Sequence, residues 1–261
     1  MRVWAVANQK GGVGKTTTVV SLAGLLAEVG YRVLLIDLDP HGSLTSYFGY
    51  DPDELELSVY DLLSGDVPVT AEGVTGLLRN TSHDSIKMIP ASTALATLER
   101  KAISSQGMGL MIARSLKQLN DQFDYVLIDS PPVLGVLMVN ALAACEHLLV
   151  PVQTEFLALK GLERMLRTIH MINRARKNKL QYTIIPTFYD RRTQASILSL
   201  RELHHQYPHE ISSAVIPVDT KFRNASIRGV VPSDLDTSSR GVNAYARLLR
   251  TLLEQQKREA V

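Results

Sequence analysis

The chain alternates between short, nearly unbroken apolar runs and longer segments of helical period. Residues 3–7 (Val-Trp-Ala-Val-Ala), 32–36, 125–128 and 147–152 carry almost no polar alternation. A half-exposed strand would alternate, so these runs predict parallel strands covered on both faces. Residues 86–89 and 182–185 read as two more strands, stopped by Pro90 and Pro186, and 214–216 as a last short one. Helices are predicted over 15–29, closed by Gly30, and over 108–119, 136–144, 160–172, 193–207 and 243–257. In the second of these, Leu110, Ile112, Ala113, Leu116 and Leu119 fall on or near one stripe. Residues 51–85 are polar and turn-rich, with short helical pieces at most. Repeated strand–helix units place the chain in the α/β class, as one doubly wound, mostly parallel sheet. No repeat, low-complexity stretch or linker divides it, so residues 1–261 are expected to form a single domain. Ligands of such sheets bind at the carboxyl ends of the strands, and the loops there hold the candidate chemistry.

Composition narrows the classes. With 45% hydrophobic and 21% charged residues the chain has enough apolar surface to build a core, which excludes disorder as its main state. No apolar run approaches the roughly 18 residues of a membrane helix. The opening residues, MRVWAVANQKGG, are interrupted too soon for a secretory signal, and a cytoplasmic location is expected. A single cysteine, Cys145, excludes an intrachain disulfide and a four-thiolate metal or iron–sulfur site within one chain. It reads as a small core residue, and His204-His205 have no partner at metal-ligand spacing. The net charge of +2 hides an asymmetry: residues 1–159 carry −7 and residues 160–261 carry +9. The basic half is either a contact surface for an anion or acidic partner, or a set of solvated helix faces.

Between the first strand and the first helix lies Gln9-Lys10-Gly11-Gly12-Val13-Gly14-Lys15-Thr16-Thr17. Glycines there let backbone N–H groups turn inward around phosphate oxygens, and the helix N-terminus adds unpaired donors. Strand, glycine loop and Gly-Lys-Thr at a helix start form a P-loop, with Lys15 for the β and γ phosphates and the Thr16 hydroxyl for Mg²⁺. Gln9 stands where the common pattern has glycine, and a second lysine, Lys10, precedes the paired glycines.

Two further strands end in acids. Asp37 and Asp39 alternate on the pleat after Ile36 and point the same way at the carboxyl edge. One suits Mg²⁺ held through water and the other an attacking water, as phosphoryl transfer requires positioning more than covalent chemistry. Asp129, followed by Ser130-Pro131-Pro132, closes the 125–128 run and is the expected Mg²⁺-side carboxylate. Turn-forming or capping aspartates are the plainer reading of these positions.

The loop KGGVGKTT resembles the deviant P-loop of the ParA/MinD ATPase superfamily, as do Asp37-Leu38-Asp39-Pro40 and Asp129-Ser130-Pro131-Pro132. Weaker likenesses extend it over nearly the whole chain: Val150 to Glu155 with Lys160-Gly161-Leu162, Pro186 to Thr193, Val215-Ile216-Pro217 and Ser239-Arg240-Gly241. The resemblance implies ATP and Mg²⁺ as cofactors, held by Gly11, Gly12, Val13, Gly14, Lys15, Thr16 and Thr17. It implies Asp39 as the water-activating acid, and Pro217 with Thr187 at the adenine. It also implies that Lys10 reaches across an ATP-bound homodimer to the other subunit's phosphates, and that a partner protein stimulates slow turnover. An iron–sulfur reductase of this superfamily fails on cysteine count; a carboxylate-activating ligase and an ATP-binding scaffold without turnover are the competing classes.

Within the superfamily, 154–164 and 219–226 look most like ParC, the branch that positions chemotaxis arrays at the cell pole with a coupling partner. Chromosome- or plasmid-partitioning members bind nonspecific DNA and concentrate on the nucleoid. They place basic residues at the positions of Arg192 and the stretch after Pro217, where this chain has Val218-Asp219-Thr220-Lys221-Phe222-Arg223 instead. Arg164, Arg167, Arg192, Lys221 and Arg223 are the candidate DNA or partner face. The last helix has Tyr245, Leu248, Leu249, Leu252 and Leu253 on one side and no Trp or Phe, which reads as docking on the core rather than on a membrane.

Overall fold

The computed structural model describes residues 1–101, 108–119 and 121–259. Five buried runs form its central strands: β1 (Arg2–Val6), β2 (Val33–Asp37), β5 (Tyr125–Asp129), β6 (His147–Gln153) and β7 (Gln181–Thr187). With β3 (Arg79–Asn80) and β4 (Ile86–Ile89) they make a seven-stranded sheet of order β3-β4-β2-β5-β1-β6-β7. All pairs are parallel except β3 with β4. The order reverses about β1, and the switch point lies beside the glycine loop, where this topology opens a crevice.

The two faces of the sheet carry two separate cores. One face packs Trp4, Val6, Val33, Leu35, Leu127 and Leu149 under α1 (Lys15–Glu28) and α12 (Arg240–Glu259). Helix α1 buries nearly its whole length, because α12 covers its outer side; Tyr245, Leu248, Leu249 and Leu252 are each 4% exposed or less. The apolar stripe of α12 is thus consumed by the core, as its sequence suggests. The other face packs Ala5, Leu34, Ile36, Val126, Ile128 and Val150 under several helices. Among them are α3 (Val59–Ser64), α4 (Ala71–Gly76), α6 (Met111–Leu116), α7 (Val136–Ala144) and α8 (Phe156–Ala175). Helix α3 starts at a capping box in which Ser58 and Asp61 satisfy each other's end groups.

Four short helices have no strong sequence signal: α2 (Ser43–Tyr47), α5 (Leu95–Lys101), α10 (Lys221–Arg228) and α11 (Pro232–Leu235). Helix α9 (Gln194–Gln206) agrees with its predicted span. Helix α8 begins four residues before the predicted start, and the predicted 108–119 helix is α6 flanked by single 3₁₀ turns. The predicted strand at 214–216 is not a strand. Residues 211–217 run beside β7 through two isolated bridges only, Ile184 with Ile211 and Tyr189 with Pro217.

Candidate functional site

The carboxyl ends of β1, β2 and β5 bring the sequence-predicted residues together. Gly14 sits at φ +91° as the cap of α1, a conformation that an L side chain takes only with strain. Gly12 is also left-handed at φ +72°, so the loop curls with its backbone inward. Lys15 is only 8% exposed. Thr16 donates its hydroxyl to Asp129 Oδ2 at 2.6 Å, which joins the start of α1 to the end of β5.

Asp37 and Asp129 are register neighbours on adjacent parallel strands, and both are buried. They are not equivalent. Asp37 Oδ1 accepts from the Asp39 backbone at 3.0 Å, and Oδ2 accepts from the Thr45 backbone and hydroxyl at 2.9 and 2.8 Å. Asp129 Oδ1 has no hydrogen-bond partner among the described residues. Burial pushes both carboxyls above the ordinary carboxylate range, and repulsion from Asp37 raises Asp129 further. A hydroxyl, an orphaned buried carboxylate oxygen and a second carboxyl are hard oxygen donors that fit Mg²⁺. Asp39 lies at the rim. Its Oδ1 accepts from the backbone N–H of His41 at 3.0 Å and lies 2.8 Å from that residue's ring Nδ1, leaving Oδ2 open.

Beside the loop a cavity of about 520 Å³ is lined by Thr16, Thr17, Thr187, Phe188, Pro217 and Tyr245, among others. Thr187 donates its hydroxyl to the Val13 carbonyl at 2.9 Å, so β7 is tied to the phosphate loop. Thr187 and Pro217, the residues expected at the adenine, both line this cavity. Phe188, which the sequence did not single out, is the one non-glycine residue with positive φ (+53°) among those described, and its ring edge approaches Gly14. Strain of this kind costs about 1–3 kcal/mol and tends to persist at ligand clamps.

Lys10 is not turned into its own loop. Its ammonium donates to Gln153 Oε1 at 3.1 Å and pairs with Glu155, while Gln153 Nε2 donates to the Gly12 carbonyl at 2.8 Å. Neither Gln153 nor Glu155 was singled out as a partner for Lys10. They lie about 145 residues away in the chain, and only the pairing of β1 with β6 brings them there. Thr45 and His41, which hold Asp37 and Asp39, were not singled out either, although they lie only eight and two residues from those acids.

The five basic residues do not make one face. Arg164 and Arg167 lie on α8, over the core that packs Ala5, Ile36 and Val150 on one side of the sheet. Lys221 and Arg223 lie on α10, whose Phe222 packs with the core on the opposite side. Arg192 is held by Asp190 at 2.7 Å, and Lys221 by Asp236 at 3.1 Å. Asp219, the acid in place of an arginine, bonds the N–H groups of Lys221 and Gly241, fastening α10 to the start of α12.

A glycine loop at a topological switch point, a hydroxyl–carboxylate pair beside it and a base-sized cavity define a P-loop nucleotide-binding protein. Comparison with known sequences and structures sharpens this. Residues 1–182 match the family described as AAA domain. The sporulation initiation inhibitor protein Soj of Bacillus subtilis is 34% identical over 95% of this chain and 97% of its own length. The chromosome partitioning protein ParA of Caulobacter vibrioides is 34% identical over 98% and 96%. A Mycobacterium smegmatis structure, named cobyrinic acid a,c-diamide synthase and solved with an ATP analog and magnesium, is 38% identical. It covers 98% of this chain and 96% of that one at a TM-score of 0.84. The chain belongs to the ParA-like family of P-loop ATPases.

Proposed function

We propose that this protein is an ATPase that dimerises on ATP, hydrolyses it to ADP and phosphate, and uses the cycle to position or partition a cargo. The loop Gly11 to Thr17 cradles the phosphates, with Lys15 against the β and γ groups. Thr16 and Asp129, supported by Asp37, hold Mg²⁺, which when bound neutralises charge on the phosphate oxygens. The open Oδ2 of Asp39 orients a water in line with the γ-phosphorus. One P–O bond forms from that water, the bridging P–O bond breaks, and ADP leaves. Thr187 and Pro217 flank the adenine.

The observation that carries the dimer reading is the posture of Lys10. Its ammonium rests on Gln153 and Glu155 rather than over its own loop, which supports a role on the phosphates of a second copy. The array-positioning cargo rests on the likeness of residues 154–164 and 219–226 to ParC. A chromosome or plasmid cargo rests on the names of the Soj and ParA relatives, and is the second reading. The two separate on DNA. Asp39→Ala protein loaded with Mg²⁺–ATP is titrated onto nonspecific duplex across a salt series. Tight binding that falls steeply with salt supports the chromosome reading. Absence of binding by a confirmed dimer supports an array or other protein-borne cargo, with turnover raised by a protein partner.

The name of the Mycobacterium smegmatis structure points to a different class, amide synthesis from a carboxylic acid. Amidation that takes its nitrogen from glutamine uses a reactive nucleophile, and the one thiol here cannot serve. Cys145 is 1% exposed, and burial pushes its thiol up to about 12. Phosphate release that requires an added carboxylic acid would favour the ligase class and defeat the proposal.

A further inference from the structure

Part of the basic half of the chain, the outer side of α8, forms one stripe that the nucleotide site does not use. Helix α8 buries Leu162, Met165, Leu166 and Ile169 against the sheet. Its opposite side exposes Lys160, Arg164, Arg167, Met171 and Arg174, spaced four, three, four and three residues apart. That spacing keeps them on one stripe, about 21 Å long at 1.5 Å per residue. Glu163 is the only acid on the helix and pairs with Lys160 at 2.8 Å. The guanidinium groups of Arg164, Arg167 and Arg174 have no hydrogen bond or ion pair among the described residues.

At its far end the stripe opens into a cleft of about 1060 Å³ at the amino-terminal edge of β6 and β7, opposite the phosphate loop. Arg174, Lys179 and Arg258 are exposed cations in its lining, and Glu210 is the only acid there. The lining also includes the apolar Leu180, Leu248 and Leu252, the first 2% and the last two 0% and 2% exposed, together with Tyr182 and Ile211.

We infer that the α8 stripe and this cleft together form a docking surface for an acidic, amphipathic segment of a partner protein. Charge complementarity commits the occupant to an anion: unpaired arginines line the stripe and cations ring the cleft. The exposed apolar side chain of Met171 within the stripe favours polypeptide over nucleic acid. Met171 is 58% exposed between Arg167 and Arg174, where a phosphate backbone has nothing to meet it and an apolar side chain does. A helical segment lying parallel to α8 with carboxylates at positions i, i+3 and i+10 matches Arg164, Arg167 and Arg174 in turn, while an apolar residue between the last two meets Met171. The cleft lies at the sheet edge opposite the phosphate loop, whereas α8 itself reaches that loop, where Gln9 donates to the Thr168 hydroxyl at 2.8 Å. Helix α8 starts directly after Glu155, so the surface and the Lys10 contact share one rigid element.

The test uses the full chain and two probes: a fluorescent acidic amphipathic peptide of about 18 residues with glutamates at that spacing and leucines beside them, and a nonspecific duplex of about 24 base pairs. Each is titrated against wild type, an Arg164→Glu/Arg167→Glu/Arg174→Glu variant and a Lys179→Glu/Arg258→Glu variant, with thermal melts confirming that the variants fold. The expected result is peptide binding by wild type, weakened about tenfold or more by the triple variant and measurably by the double variant, with duplex affinity unchanged. Three results overturn the inference: no peptide binding by wild type, peptide binding indifferent to the triple variant, or loss of duplex binding with the peptide unaffected. The last would assign the stripe to nucleic acid.

Discussion

Replacing Asp129 with asparagine should stabilise the protein and disable its site at once. Asp37 and Asp129 are buried register neighbours, and burial holds both carboxyls above their ordinary range. Adjacent parallel strands lie about 4.8 Å apart, so two ionised carboxylates there repel by about 3 kcal/mol at an effective dielectric of about 20. Asparagine keeps an acceptor for the Thr16 hydroxyl but places an amide donor at the orphaned Oδ1 position, an offset of about 1–2 kcal/mol. The net expectation is a gain of about 1–2 kcal/mol in the metal-free protein. The sign with pH follows from linkage. A carboxyl whose folded value lies above its unfolded value of 3.8 leaves the native state holding more protons. Wild-type stability then falls as pH rises above about 4, and the advantage of Asp129→Asn is larger at pH 8 than at pH 6. Urea unfolding at both pH values, with and without Mg²⁺–ATP, reads all of this. Wild type should gain about 2.7 kcal/mol from ligand at a hundredfold excess over Kd, and the variant much less. A variant less stable than wild type at pH 8 without metal, or one that keeps the full Mg²⁺-dependent gain, would refute the reasoning.

Other substitutions reach different parts of the account. A Cβ at Gly24 would lie 2.7 Å from Ser233 Oγ and 2.8 Å from Val231, so Gly24→Ala should cost about 1–2 kcal/mol despite better helix propensity; unchanged urea unfolding would contradict the α1–α11 packing. His41→Ala removes the ring from Asp39 Oδ1, and should lower ATP turnover severalfold while leaving nucleotide affinity within twofold, about 0.4 kcal/mol; unchanged single-turnover phosphate release would show that Asp39 needs no such support. Burial lowers the His147 imidazole to about 4, so the unfolded chain takes up a proton first as pH falls below 6.5. Stability present above that value should be lost toward pH 4, and His147→Asn should shed about 1–2 kcal/mol of the difference between pH 7 and pH 5, less than the full linkage because the residue lines a cleft. An identical slope in the variant would defeat this.

Much of this architecture is written in local patterns. Apolar runs ending in Asp37 and Asp129 mark strands and site together, because a parallel strand must be covered on both faces and its carboxyl end must meet the ligand. The glycine loop is local for the same reason: its chemistry needs consecutive backbone groups. Helix α10 was missed because its sequence, KFRNASIR, buries only Ala225; packing against α11 holds it in place rather than an apolar stripe of its own. The run at 214–216 misled in the opposite direction. Ala214 and Ile216 are buried, but they fill the core from an extended segment bridged at single points to β7. The partners of Lys10 were hidden by distance along the chain, whereas Thr45 and His41 lie close in sequence to the acids they hold and belong to no pattern that marks them. Glu155 reads as one residue in a loop until β6 lies beside β1. Likewise, Arg164 and Lys221 share a charge and a half of the sequence, yet the sheet separates them.

The central claim is that Lys10 acts on a second copy of this chain. Light scattering of Asp39→Ala protein with Mg²⁺–ATP, and again with Lys10→Ala added, tests it most directly. The account predicts a dimer with ATP, a monomer with ADP, and no ATP-dependent dimer once Lys10 is removed, although nucleotide still binds. A Lys10→Ala protein that dimerises and hydrolyses ATP like wild type would contradict it.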